Sequence, residues 1–231
     1  MRHDIFFDEE SHVYLVDGQE VPSVTTILQP LSNRSYSSVN SSVLEYARNR
    51  GSAVHEALQI YDLVGECDVF PEVQGYLNAY LDWQNVYRPE WLGVEEIVYC
   101  EEEGYIGTLD RLGVLNDREL AIVDIKTSNP AKEALVSVCC QTAAYEIAYQ
   151  SNLVMTIPRK MGKTASIPSR PAIKRYGLFL KADGSYRFLD CEEYEKKYGF
   201  DGGVVFINLL ATHRMITRLL NTKKGKKNGN Q

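Results

Sequence analysis

Apolar and polar positions along the chain follow two periods, one helical and one extended. From Val43 the pattern turns helical, with Val54, Leu58 and Tyr61 at i, i+4 and i+7. Residues 71–87 repeat it through Val73, Tyr76, Leu77, Tyr80 and Leu81. The period then shortens, and residues 94–100, 105–115 and 120–126 read as three strands rich in Val, Ile, Leu and Tyr. Residues 131–150 are helical again, with no Gly or Pro inside, and 151–174 are irregular around Pro158, Gly162, Pro168 and Pro171. Strands follow near 175–181 and 186–190, joined by Ala182-Asp183-Gly184-Ser185, and a last helix fits 203–220. At the front, Asp17-Gly18 between apolar runs is a hairpin signal within 12–22, and Ser23 is placed to cap a short helix. The Ser-rich stretch 31–42 reads as a loop, and 221–231, without apolar residues, as a disordered basic tail.

This order of helices, strand meander, helix, strands and helix predicts an α/β core with a central mixed β-sheet flanked by α-helices, preceded by an N-terminal β-hairpin. No repeat or linker divides the chain, so residues 1–220 are expected to form a single domain. The 231 residues are 44% hydrophobic and 24% charged, which argues against disorder and low complexity. Uninterrupted apolar runs such as LAIVDI and FINLLA fall far short of the roughly 18 residues that span a bilayer. The opening MRHDIFFDEE lacks the pattern of a signal segment. A soluble, cytoplasmic protein without a membrane partner is expected.

Charge narrows the function classes. The formal net charge is −6, from 25 Lys and Arg against 31 Asp and Glu, which argues against a protein that only coats nucleic acid. An enzyme that cuts nucleic acid can still be acidic, because a metal site needs carboxylates. Cys67, Cys100, Cys139, Cys140 and Cys191 are odd in number with no CxxC, so buried free thiols are expected rather than disulfides or zinc.

The segment from Tyr105 to Thr127 carries the chemistry. Alternation along its second strand puts Leu120, Ile122, Asp124 and Lys126 on one face and Ala121, Val123 and Ile125 on the other. If Asn116-Asp117-Arg118 is a three-residue loop, Leu115 pairs with Glu119, and counting back sets Asp110 opposite Asp124. Cross-strand partners have Cβ atoms about 4.5–5.5 Å apart. Two carboxylates so placed repel unless a divalent cation lies between them, and Mg²⁺ or Mn²⁺ takes oxygen ligands of this kind. A lysine two residues on can hold a water or a phosphate oxygen beside that ion, the apparatus of metal-assisted phosphodiester hydrolysis.

Gly107-Thr108-Leu109-Asp110 followed by Asp124-Ile125-Lys126 resembles the PD-(D/E)XK nuclease core in its GxxD…DxK form. Gly51-Ser52-Ala53-Val54-His55 is similar to the G-x-x-x-H motif of its RecB-type branch, and Gln141-Thr142-Ala143-Ala144-Tyr145 to that branch's Q-x-x-x-Y motif. The matches run in order from Gly51 to Tyr145. The resemblance implies a restriction-endonuclease-like core and a Mg²⁺- or Mn²⁺-dependent deoxyribonuclease. His55, Asp110, Asp124 and the Ile125 backbone carbonyl would bind the metal, and Lys126 would position the attacking water. Gln141 and Tyr145, at i and i+4 on one helix face, would meet the DNA backbone and the active site. The family often has an acid before the GxxD strand; Glu95 and Glu96 both qualify, and alternation does not choose between them. Relatives with an iron–sulfur cluster carry a Cys before the histidine motif and three near the C-terminus, and this chain does not, so no cluster is expected.

The N-terminal hairpin followed by PSVTTIL is similar to small phage-encoded members. That implies an exonuclease of DNA recombination or processing in a bacterial or phage-infected cytoplasm, acting on double-stranded ends or single strands. A homo-oligomer and a recombination partner protein are further expectations by analogy. The alternatives are an endonuclease of the same superfamily and a non-catalytic DNA-end-binding module on a nuclease fold. Residues 158–175 hold Arg159, Lys160, Lys163, Arg170, Lys174 and Arg175 without an acid, and the first five are candidates for gripping DNA phosphates. Gly162-Lys163-Thr164 does not complete a phosphate-binding loop, because position 157 is Ile rather than Gly.

Overall fold

The computed structural model describes residues 3–8, 11, 13–36, 40–128, 131–155 and 172–227. A small antiparallel sheet opens the chain: β1 (Ile5–Asp8), β2 (Val13–Val16) and β3 (Gln19–Val21), in that order. Asp17 and Gly18 turn β2 into β3 with positive φ at both positions, the twist that suits a two-residue hairpin. Ser23 then caps α1 (Val24–Ile27) by accepting a hydrogen bond from the Thr26 N–H. The helices α2 (Gln29–Tyr36), α3 (Ser41–Val64) and α4 (Pro71–Tyr87) follow.

The main sheet has the order β4 (Glu90–Cys100), β5 (Tyr105–Leu115), β6 (Glu119–Lys126), β7 (Lys174–Leu180) and β8 (Tyr186–Asp190). It is mixed: β6 and β7 are parallel, and the other neighbours are antiparallel. A parallel pair needs a crossover, and α5 (Lys132–Met155) lies between β6 and β7 in the chain. The helices α6 (Cys191–Tyr198) and α7 (Gly202–Lys227) complete the described chain.

Two apolar layers sandwich this sheet. On one face, Ala121, Val123 and Ile125 pack with Val54 and Leu58 of α3 and with Tyr80 and Trp83 of α4. On the other, Leu112 and Ile122 pack with Cys140, Ala144 and Tyr145 of α5, Val24 and Ile27 of α1, and Phe206 and Leu210 of α7. The alternation read along β6 therefore holds: odd positions face α3 and α4, even ones α5. The small sheet docks on β5 through Tyr14 Oη and Thr108 Oγ1, 2.8 Å apart, and through the Ile106 N–H, which donates to the Pro22 carbonyl.

Several expectations change. Residues 29–36 are helical although their sequence is polar and Ser-rich; Leu28 and Leu31 anchor this stretch in the core. Of the rest of the stretch read as a loop, 37–39 lie outside the described residues, Asn40 caps α3 by accepting from the Ser42 N–H, and Ser41 and Ser42 begin that helix. The helix expected over 203–220 runs on to Lys227, taking in most of the stretch read as a disordered tail; residues 228–231 lie outside the described residues. The helix α6 was not legible as periodicity, but Asp190 caps it by accepting from the Glu193 N–H. All five cysteines are free, and four are buried. Among the described residues, α7 over Gly202–Asn221 is long and apolar enough to cross a bilayer, with mean hydropathy 1.2. Uninterrupted runs hide this, because His213, Arg214 and Arg218 break the stretch without lowering its average below that level.

Candidate metal centre

The hairpin register comes out as counted. Leu115 pairs with Glu119 across the Asn116–Arg118 turn, and the ladder proceeds to Arg111 opposite Val123, which sets Asp110 against Asp124 at the next step. Both acids are buried. In place of a further backbone rung, Asp110 Oδ2 accepts the Ile125 N–H at 2.6 Å. Asp124 turns to Lys126, whose Nζ lies 2.9 Å from Oδ1 and 2.7 Å from Oδ2. Each of two mutually repelling carboxylates thus has its own donor, a backbone N–H for Asp110 and an ammonium for Asp124.

His55 reaches this pair from the middle of α3. Its Nε2 is 3.1 Å from the Ile125 carbonyl oxygen, and its Nδ1 is 3.4 Å from Glu95 Oε1 and 3.8 Å from Asp110 Oδ1. One ligand atom from each of His55, Glu95 and Asp110 lies within 4.8 Å of the others. Asp124 lies outside that set. The Ile125 carbonyl, expected as a backbone ligand, is beside the imidazole.

The backbone of β4 decides between Glu95 and Glu96. Glu95 has φ +50°, a left-handed conformation uncommon for a residue with a side chain. The rungs on either side, Val94 with Arg111 and Glu96 with Leu109, are intact, and the one opposite Asp110 is broken. That local turn sends the Glu95 carboxylate to His55. The Glu96 carboxylate instead folds back over Gly93.

Behind the cluster lies a network that the sequence reading missed. Arg111, on the opposite face of β5 from Asp110, is fully buried. Its Nε donates to Asp62 Oδ2 at 2.7 Å and its Nη1 to Glu95 Oε1 at 3.0 Å and to the Asp110 carbonyl at 2.7 Å. Asp62 also accepts from Tyr80 Oη at 2.7 Å and Gln84 Nε2 at 2.8 Å. A signal for this was present: a charged residue in an apolar strand needs a partner, and Asp62 follows His55 by two helical turns on the same face.

Gln141 and Tyr145 project together from α5, with Gln141 Nε2 donating to Tyr145 Oη at 3.1 Å. Both are buried. Gly107 makes room for the Tyr145 ring: a Cβ there would sit 2.9 Å from Tyr145 Cε1 and 3.1 Å from Val24 Cγ2. Of the basic candidates, Arg159, Lys160, Lys163 and Arg170 lie outside the described residues. Lys174 opens β7 and pairs with Glu192 at 2.6 Å.

The electrostatics follow from crowding acids in a low-dielectric site. Burial, reinforced by the Asp110 charge, pushes Asp124 up to about 6 despite the opposing pull of Lys126. Burial works to depress His55, but the Asp110 and Glu95 carboxylates outweigh it, and its pKa is raised. Burial likewise opposes the Lys126 charge, and Asp124 and Asp110 outweigh it to raise that pKa. Burial and the same two acids push Tyr145 well up, so it remains a neutral phenol. In total, the four acids Asp62, Glu95, Asp110 and Asp124 face the cations Arg111 and Lys126 and the imidazole of His55, whose raised pKa favours its charged form. That surplus of buried negative charge is what a divalent cation neutralises, and the donor set of imidazole, carboxylates and a backbone carbonyl suits Mg²⁺ or Mn²⁺.

No family model matches the chain, and no curated protein does either.

Proposed function

We propose that the protein is a metal-dependent deoxyribonuclease of the PD-(D/E)XK type, hydrolysing phosphodiester bonds and acting on DNA ends. The observation that carries the reading is the convergence of His55, Glu95 and Asp110 within 4.8 Å, beside the Asp124–Lys126 pair on the adjacent strand. His55, Glu95 and Asp110 would hold the ion, with Asp124 and the Ile125 carbonyl beside them. A bound Mg²⁺ or Mn²⁺ supplies Lewis-acid stabilisation of the phosphoryl oxygens and acidifies water.

The chain's own groups do the rest. Lys126, at the end of β6 with its ammonium held by Asp124, stands where it can orient the attacking water or steady a phosphate oxygen. Arg111 fixes Glu95 from behind, and Glu95 fixes the imidazole. Tyr145, kept as a phenol, and Gln141 offer uncharged hydrogen-bonding groups to a phosphodiester without adding charge to the site.

The test is degradation of end-labelled linear DNA in Mn²⁺ or Mg²⁺ and in EDTA. Wild type is expected to degrade it only with metal, and Asp124→Asn or Lys126→Met to slow it by roughly 100-fold or more. Equal rates in metal and in EDTA, or variants as fast as wild type, would refute the reading. Closed circular DNA in the same assay separates the modes: a resistant circle supports action at ends, and a nicked one an endonuclease.

A further inference from the structure

A cavity of about 530 Å³ opens just past Lys126, between α3, α4 and the carboxyl ends of the parallel strands β6 and β7. Its lining includes Arg50, Tyr76, Thr127, Ser128 and Lys181. Thr127 directly follows Lys126, and Arg50 precedes His55 by five residues on α3. The volume lies in the range of small-molecule sites and is far larger than one phosphate group needs.

Arg50 is the unusual member. The buried arginines Arg111 and Arg175 both fork onto carboxylates, of Asp62 and Glu95 and of Glu146 and Glu195. Arg50 has no carboxylate partner among the described residues. Its guanidinium lies 5.9 Å from the Tyr46 ring centre and 5.6 Å from that of Tyr76. Its Nη2 makes one long contact of 3.4 Å to the Thr127 carbonyl, and its buried Nε has no partner. Aromatic faces hold a guanidinium in place without neutralising it, which leaves several donors of a planar fork for an anion. Lys181 likewise makes no ion pair among the described residues. The acid in the lining, Asp183, is engaged by the Ser185 N–H at 2.9 Å and Oγ at 2.6 Å. The wall opposite is set by Gly75, where a Cβ would overlap the Ala182 carbonyl, so α4 and the β7–β8 turn close tightly on one side.

We infer that this cavity is a nucleotide subsite adjoining the proposed metal centre. It takes a nucleotide unit next to the scissile linkage, with its phosphate on Arg50 and Lys181 and the Thr127 and Ser128 hydroxyls beside it. The assignment rests on the nuclease reading for the identity of the ligand, and its test does not depend on cleavage.

The test uses the full chain in EDTA and a fluorescein-labelled ten-nucleotide single strand, followed by anisotropy over a range of salt concentrations. Arg50→Met and Lys181→Gln are each expected to weaken binding about tenfold, equally for different sequences, and to reduce the salt slope by about 0.7. Arg50→Lys, which keeps the charge, retains the slope, and Lys181→Gln lies on a turn, so one informative variant survives if Arg50→Met fails to fold. A deoxynucleoside 5′-monophosphate is expected to displace the strand at lower concentration than inorganic phosphate. Binding by Arg50→Met and Lys181→Gln within twofold of wild type overturns the inference, as does a wild type that does not bind the strand. Equal displacement by inorganic phosphate reduces the cavity to an anion site and overturns the nucleotide assignment. Metal-dependent cleavage by wild type alongside unaltered binding by the variants removes the subsite alone; absence of cleavage with altered binding removes the nuclease reading alone.

Discussion

The Asp110 carboxylate accepts the Ile125 N–H at 2.6 Å, and so binds a side chain of one motif strand to the backbone of the other. The bond replaces a ladder rung and pins the backbone at Ile125, whose carbonyl, in the next peptide unit, faces His55 at 3.1 Å. Asp110 therefore has a structural task besides any ligation. Asp110→Asn keeps an acceptor for the Ile125 N–H and should leave stability within about 1 kcal/mol while removing metal-dependent activity. Asp110→Ala strands a buried donor, which costs about 1–3 kcal/mol. Thermal unfolding in EDTA should place the Ala variant below the Asn variant, and the reverse order would contradict the role of this bond.

Arg111 is the cation at the centre of the buried network. Arg111→Met leaves Asp62 and Glu95 uncompensated, and breaking a buried pair in this way costs about 3–5 kcal/mol. Denaturant unfolding should show that loss, with lower metal affinity because Glu95 is no longer held. A variant as stable as wild type would mean that Tyr80 and Gln84 suffice to satisfy Asp62.

The two motif glycines should respond in opposite directions to alanine. At Gly107 a Cβ meets the Tyr145 ring at 2.9 Å and Val24 at 3.1 Å, so the ring must move, at a cost of about 1–3 kcal/mol for overpacking. At Gly51, within α3, a Cβ meets only Thr127 Oγ1 at an ordinary 3.6 Å, and alanine favours the helix by about 1 kcal/mol. Melting curves should rank Gly51→Ala at or above wild type and Gly107→Ala below it.

The response to pH has a definite sign. Asp124 is raised from an ordinary carboxylate value to about 6, so the folded state holds that proton more tightly than the unfolded one. Its contribution to stability is present below about pH 4 and is lost as pH rises through 6. His55, also raised, contributes below its unfolded value near 6.5 and loses that contribution as pH rises through its higher folded value. Metal ligands must be deprotonated, so ion and protons compete for the site. Mn²⁺ should therefore raise the melting temperature clearly at pH 8 and hardly at pH 5. An equal rise at both would show that the ion binds elsewhere.

Much of the fold was legible because it is written locally. Period two along β5 and β6, a three-residue turn and the pairing of Leu115 with Glu119 are enough to set Asp110 against Asp124. The helix over Pro71–Tyr87 and the Asp17-Gly18 hairpin were legible for the same reason. Local pattern failed where tertiary contact overrides composition, as in α2, whose polar sequence is anchored by Leu31, and in α6, announced only by its Asp190 cap.

The site divides along the same line. Alternation and motif spacing, which are properties of neighbouring residues, were enough to mark the two strand acids, the lysine beside them and Gly107 as a motif glycine. Packing between distant segments is what joins Glu95 rather than Glu96 to His55, brings Arg111 to Asp62 on α3, seats the Tyr145 ring against Gly107, and leaves Arg50 without a carboxylate partner among the described residues at a cavity between α3 and β7. A left-handed residue within a strand and contacts between segments dozens of residues apart leave no periodic trace; chain packing brings them together.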